Sequence, residues 1–200
     1  MKRWTILLLW CVPLAWADVA TLPGWEHRLT KAGIDVYTRS VPGHELIELN
    51  SFTTMNGTVD ELLALYMDVD RCGDWLPDCK RSNVVDQLSE QKYLIYRHIK
   101  NPFPFKHRDY VIEVEIERDD ATGEVTLYVA DVKDALAESK CCVRMEHIKG
   151  MWKFTPLGNN QVKVQFQYHF HPGGKLPTSM INKALPSFPI DTLGLMQAAL

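Results

Sequence analysis

Positive charge is not in excess in this sequence: 22 Lys and Arg stand against 25 Asp and Glu, a formal net charge of −3. A protein that grips a phosphate backbone neutralises it with clustered basic side chains, so no nucleic-acid partner is expected. No apolar run reaches the roughly 20 residues that a bilayer-spanning helix needs. Internal repeats, low-complexity tracts and Pro/Ser-rich linkers are missing after residue 17, which leaves one domain over residues 18–200 with one substantial core. There is no Gly-x-Ser-x-Gly elbow and no phosphate-binding glycine loop. The CxxC and His-x-x-His spacings of zinc sites are missing too. Neither a metal nor a cofactor is therefore expected.

What is present begins with Met1-Lys2-Arg3, a short positive start, followed by an apolar stretch from Trp4 to Trp16 and the small-x-small triplet Ala15-Trp16-Ala17. These parts in this order predict a secretory signal peptide over residues 1–17, cleaved after Ala17. The protein is then secreted, and periplasmic if the source is a Gram-negative bacterium. Four cysteines follow the predicted cleavage point: Cys72, Cys79, Cys141 and Cys142. In an oxidising compartment an even count favours disulfides. Cys72 and Cys79 close a short loop and are the expected pair. Cys141 and Cys142 adjoin in an expected strand, where successive side chains point to opposite faces, so they are expected to remain thiols.

Periodicity gives the element order. Residues 25–32 read as a short helix stopped by Gly33, and residues 34–39 and 45–54 as strands. Thr58 and Glu61 have capping-box spacing, and Val59, Leu62, Leu63, Tyr66 and Met67 fall on one helical face. Strands are then expected over residues 82–87, 92–99, 108–118, 125–132, 141–154 and 161–170. In 108–118, Tyr110, Ile112, Val114 and Ile116 alternate with polar residues; in 161–170, Val162, Val164, Phe166 and Tyr168 do so. Pro177 opens a last helix with an apolar face of Leu176, Met180, Ile181, Ala184 and Leu185, interrupted at Pro186 and Pro189. One curved antiparallel sheet wrapped on a C-terminal helix fits this order, an α+β arrangement.

Several local motifs, taken in order, resemble the START domain, the lipid-binding module of the helix-grip superfamily. They are Trp25 with Gly33-Ile34-Asp35-Val36-Tyr37-Thr38-Arg39, the helix exit over residues 68–75 ending in Trp75, Phe103-Pro104-Phe105-Lys106-His107-Arg108-Asp109, and Val143-Arg144 with Gly150-Met151-Trp152 and Pro156. His171-Pro172-Gly173-Gly174-Lys175-Leu176-Pro177 completes the set. The resemblance implies a helix-grip fold with an internal hydrophobic cavity. It also implies a monomer that binds, and carries, a lipid or other hydrophobic ligand with transient membrane contact. An empty apolar cavity of ~400 Å³ would cost on the order of 10 kcal/mol, so a ligand or water is expected to offset it.

The expected cavity wall comprises Ile112 and Val114, Met145 and His147, Trp152, Phe166 and Tyr168, with Met180, Ala184 and Leu185 closing the top. Tyr96 and His98 are its expected polar handles, and either Arg97 or His98 could point inward. A one-residue slip in register would invert any strand's assignment. Arg108 and Asp109 read as a structural ion pair that organises the loop 101–106. His169-x-His171 places two imidazoles on one side of a strand, a weak metal signal without further ligands. The alternative to a carrier is a cyclase- or hydrolase-like enzyme of the same superfamily, with His98, His147, Tyr96 or Tyr168 as its acid or base.

Overall fold

Alternation of apolar and polar residues builds most of this chain, and in the computed structural model, which describes residues 23–200, it does so as one sheet. The expected signal peptide lies outside the described residues. Strands β1 (Glu26–Lys31), β2 (Ile34–Arg39) and β3 (Glu48–Asn56) come first. Helix α1 (Val59–Met67), a 3₁₀ turn and the short helix α2 (Cys72–Trp75) follow. Then come β4 (Cys79–Ser89), β5 (Lys92–Ile99), β6 (His107–Asp119), β7 (Glu124–Asp131), β8 (Cys142–Arg144), β9 (Glu146–Gly158) and β10 (Gln161–His171). The chain ends in α3 (Thr178–Ala184), a 3₁₀ turn at Leu185–Ser187, and α4 (Phe188–Ala199).

The sheet runs β1-β2-β3-β10-β9-β7-β6-β5-β4, antiparallel throughout, with β8 added in parallel to the start of β6. It is curved and unclosed, the helix-grip architecture expected from the sequence. Cross-strand partners keep the apolar sets together on the concave side: Val114 faces Val129, and Leu127 faces Trp152, which in turn faces Phe166. Helix α4 packs on α2, β2 and β3 and buries Ile190, Leu193 and Met196.

Helix α1 forms where its capping box predicts. The Thr58 backbone N–H donates to Glu61 Oε2 at 2.7 Å, and the Glu61 N–H donates to Thr58 Oγ1 at 3.2 Å. The expected helix over residues 25–32 is instead strand β1. Ala32 and Gly33, both with positive φ, make the two-residue turn between the paired Lys31 and Ile34. Gly33 thus punctuates a hairpin rather than a helix end. The expected strand 141–154 is broken after β8, and Cys141 lies in the turn before it. The structure closes both the Cys72–Cys79 disulfide and a second one between Cys141 and Cys142. The expectation of two free thiols is corrected, because the alternation that would part them does not extend to Cys141.

Candidate functional site

Alternation on β5 sends Ile95 and Arg97 to the concave side and Tyr96 and His98 to the other, since Ile95 faces Ile112 and Arg97 faces Tyr110 across the β5–β6 ladder. Between this concave side and α3 lies a cavity of about 390 Å³. Trp75 and Arg97 form part of its floor and Tyr110, Ile148 and Trp152 its wall. Phe166 and Tyr168 of β10 continue that wall, and Met180, Ile181, Ala184 and Leu185 close over it. The loop 101–106 borders the mouth through Asn101, Pro102 and Phe105. Tyr168 reaches its position because its partner across the ladder is Gly150: a Cβ there would overlap the Tyr168 ring.

The electrostatics of the cavity centre on Arg97, which is 3% exposed. Its guanidinium lies 5.0 Å from the Tyr66 ring centroid and 4.9 Å from that of Trp75, in cation–π geometry. Its Nε is buried without a hydrogen-bond partner. Burial pushes the Tyr66, Tyr110 and Tyr168 hydroxyls up, against the pull of the guanidinium, so all three stay neutral. Among the described residues no carboxylate forms an ion pair with Arg97. An arginine stays charged at any relevant pH. The cavity therefore holds a buried cation with no anion of its own, while Arg108, the second buried arginine of the lining, spends its donors on backbone carbonyls.

Of the expected wall, Met145, Trp152, Phe166, Tyr168, Met180, Ala184 and Leu185 line the cavity. Ile112 and Val114 do not: they are fully buried in the core beside it. Tyr96 points to the other side of the sheet, its hydroxyl 3.4 Å from Asp109 Oδ2. His98 is there too, with Nε2 at 2.8 Å from Nδ1 of His107. His147 is displaced because the β9–β10 register shifts between His169 and His171, which puts Ile148 on the inner side. It borders a second, more polar cleft of about 820 Å³ together with His44 and His169. The same shift separates His169, which is buried, from exposed His171, so they do not present paired imidazoles. Burial, aided by His44, holds His169 below its ordinary value.

The Arg108–Asp109 pair is not formed, because neighbours on a strand diverge. Asp109, 1% exposed, instead receives Arg144 Nε at 2.9 Å. Arg108 donates to three carbonyls, those of Lys106 at 2.6 Å, Pro172 at 3.1 Å and Gly173 at 3.4 Å. It fastens the mouth loop, as expected of the pair, but through backbone rather than through a carboxylate. Trp75, Tyr110, Ile148 and Phe188 were not among the expected wall residues, although the alternation that selects Ile112 also selects Tyr110. The lining contains no histidine and no carboxylate.

Comparison with known proteins finds the START domain profile matching residues 19–194. An uncharacterised protein of Pseudomonas aeruginosa is 29% identical over 184 residues, covering 92% of this chain and 90% of that protein. The phosphatidylcholine transfer protein of Mus musculus is 27% identical over 176 residues, covering 84% of this chain and 81% of its own length. Among solved structures, a fragment of the STAR-related lipid transfer protein of Xanthomonas axonopodis superposes with a TM-score of 0.80 at 28% identity, covering 88% of this chain and 97% of that one.

Proposed function

The chain belongs to the START domain family, and from that premise we propose that it carries a phospholipid, with the phosphodiester on Arg97 and the acyl chains against the aromatic and aliphatic wall. The observation that carries this reading is the buried guanidinium without a counter-ion. An unpaired buried charge is costly, and an anionic group delivered by the ligand offsets that cost with charge-assisted hydrogen bonds. A sterol hydroxyl brings no charge and leaves Arg97 uncompensated. The similarity to proteins named for phosphatidylcholine transfer supports the same choice. The acid or base of a catalyst in this cavity would fall to the Tyr110 or Tyr168 hydroxyl, which burial pushes up and keeps neutral, and this favours the carrier over the enzyme.

Transient contact with a membrane fits the rim of the mouth, where Phe103 is 97%, Met180 58% and Phe105 46% exposed. Large apolar side chains exposed together mark a surface that meets another apolar phase. The same reading includes export directed by residues 1–17 and action as a monomer, which intact-mass and sedimentation measurements on the exported protein would check.

The test is uptake from vesicles of phosphatidylcholine, from fatty acid and from cholesterol by the wild type and by Arg97→Met. The wild type is expected to take up phosphatidylcholine, and the variant to bind it roughly 10- to 100-fold more weakly, the worth of a hydrogen bond to a charged group. Stability of the variant is expected to be unchanged or higher, since a buried charge is removed. Equal phosphatidylcholine binding by both proteins, or preference of the wild type for cholesterol, would overturn the proposal; preference for fatty acid would reassign the anion to a carboxylate.

A further inference from the structure

On the face of the sheet away from the cavity, three strands bring together side chains that the lipid site does not use. His98 comes from β5, His107 opens β6, and Cys142 opens the parallel strand β8, where it is the register partner of His107. Cys141 precedes it in the turn and is exposed to solvent. The ligating atoms of His98, Cys141 and Cys142 all lie within 4.8 Å of one another. Cys142 Sγ is 3.7 Å from His98 Nε2, and that nitrogen is 2.8 Å from His107 Nδ1.

Two ring nitrogens facing each other at 2.8 Å leave room for one proton between them. A cation on His98 Nε2 would take the place of that hydrogen bond. Zinc takes nitrogen at ~2.0–2.1 Å and sulfur at ~2.3 Å, and three ligating atoms within 4.8 Å of one another can converge on one such ion once the disulfide is opened. Two thiolates would neutralise the charge of a divalent ion, and thiolate with imidazole is the combination that selects zinc or Cu(I) over magnesium and calcium. Exposed Cys141 gives an entry path.

We propose that His98, Cys141 and Cys142 form a binding site for a thiophilic transition-metal ion such as Zn²⁺, with the fourth position left to water, available when the Cys141–Cys142 disulfide is reduced and closed when it is formed. A phosphine reductant supplies two electrons and is oxidised to the phosphine oxide with oxygen from water, whose two hydrogens end on the sulfurs as the S–S bond is replaced by two thiols. Metal binding then returns two protons to solvent as two metal–sulfur bonds form. The ion would tie the turn before β8 to the β5–β6 hairpin, whose loop 101–106 borders the cavity mouth. Sequence spacing alone passes over such a site, because its ligands come from two segments more than 40 residues apart.

The test reduces the whole protein with a phosphine, removes the reductant without air, and measures Zn²⁺ by equilibrium dialysis. The comparison is with Cys141→Ser/Cys142→Ser, which reports any uptake by Cys72 and Cys79, and with His98→Gln. One additional equivalent is expected in the reduced wild type, none in the oxidised protein, and at least tenfold weaker binding in His98→Gln. Co²⁺ in place of Zn²⁺ should give a thiolate-to-metal band that the double variant lacks, a readout that does not depend on the histidine variant folding. Equal Zn²⁺ uptake by the reduced wild type and the double variant would overturn the site. So would a disulfide that yields no thiols under reduction.

Discussion

Asp109 shows how much one side chain decides. It is almost fully buried, and it faces an arginine 35 positions away rather than the one beside it. Breaking such a pair from one side leaves a charge without its partner, which costs about 3 kcal/mol. Asp109→Ala is therefore expected to lose roughly that much in urea unfolding, and Arg144→Ala a comparable amount. The informative measurement is the double-mutant cycle: Arg144 and Asp109 should couple by more than 1 kcal/mol, the scale set by interacting neighbours. Arg108 and Asp109 should add nearly independently, since Arg108 spends its donors on carbonyls. Strong Arg108–Asp109 coupling would contradict the observed geometry. Strand alternation alone forbids the adjacent pair; the true partner depends on β8 reaching β6, which local sequence does not encode.

At the level of elements, α3 is the piece best placed to move. Three contacts hold it to the loop between β2 and β3. Asn182 accepts from the Ile47 N–H at 3.1 Å and donates to the Glu45 carbonyl at 3.0 Å, and Thr178 donates to Glu45 Oε2 at 2.8 Å. Beyond α3 the helix tightens into a 3₁₀ turn containing Pro186, and Pro189 begins α4. Each intramolecular hydrogen bond contributes about 0.5–1.5 kcal/mol net. Asn182→Ala is thus expected to speed release of a fluorescent phospholipid by about 5- to 150-fold, the sum of two such bonds. Pro186→Ala with Pro189→Ala, by restoring helical hydrogen bonds, should slow it. Stopped-flow release rates that do not change in either variant would mean that ligand enters elsewhere, past the loop 101–106.

Elements also mark where sequence reading succeeds. The apolar face of Leu176, Met180, Ile181, Ala184 and Leu185 is legible at helical spacing, and all five line the cavity. Strand β5 has a less regular pattern, and its inward residue becomes plain only once Arg97 is paired with Tyr110. His147 defeats the reading for a different reason. It sits at φ 54° just before Ile148, where the β9–β10 ladder loses its regular register, and an irregularity of one residue exchanges the two faces. Likewise β1 is polar and at the sheet edge, so it carries no alternation to distinguish it from a short helix.

For the molecule as a whole, the cavity sets the balance of stability. An unfilled apolar space of about 390 Å³ corresponds to on the order of 9 kcal/mol at ~24 cal/mol per Å³. Ligand is therefore expected to contribute visibly to folding. Solvent-extracted protein should melt about 5–10 °C below protein reloaded with phosphatidylcholine at 100 times its dissociation constant, where binding adds about 2.7 kcal/mol. Differential scanning calorimetry checks this, and identical melting of empty and loaded protein would count against the cavity as the binding site. The existence of a cavity follows from a curved sheet and a helix that fills it incompletely. Its electrostatic character rests on Arg108, which backbone carbonyls satisfy, and on Arg97, which the sequence leaves as one of two neighbours that could point inward.

The position of β10 has a consequence for how the chain assembles. It lies between β3 and β9, so β3 pairs with β2 through residues 48–52 on one side and with residues 161–168 through residues 49–56 on the other. Until β10 is in place, β3 and β9 each present an open edge with unpaired backbone groups, the template on which chains pair with one another. Contacts this distant in sequence also close slowly, since loop entropy is lost before they form. Nascent or truncated chains that stop short of residue 161 are exposed to aggregation, and the last strand joins the two halves of the sheet.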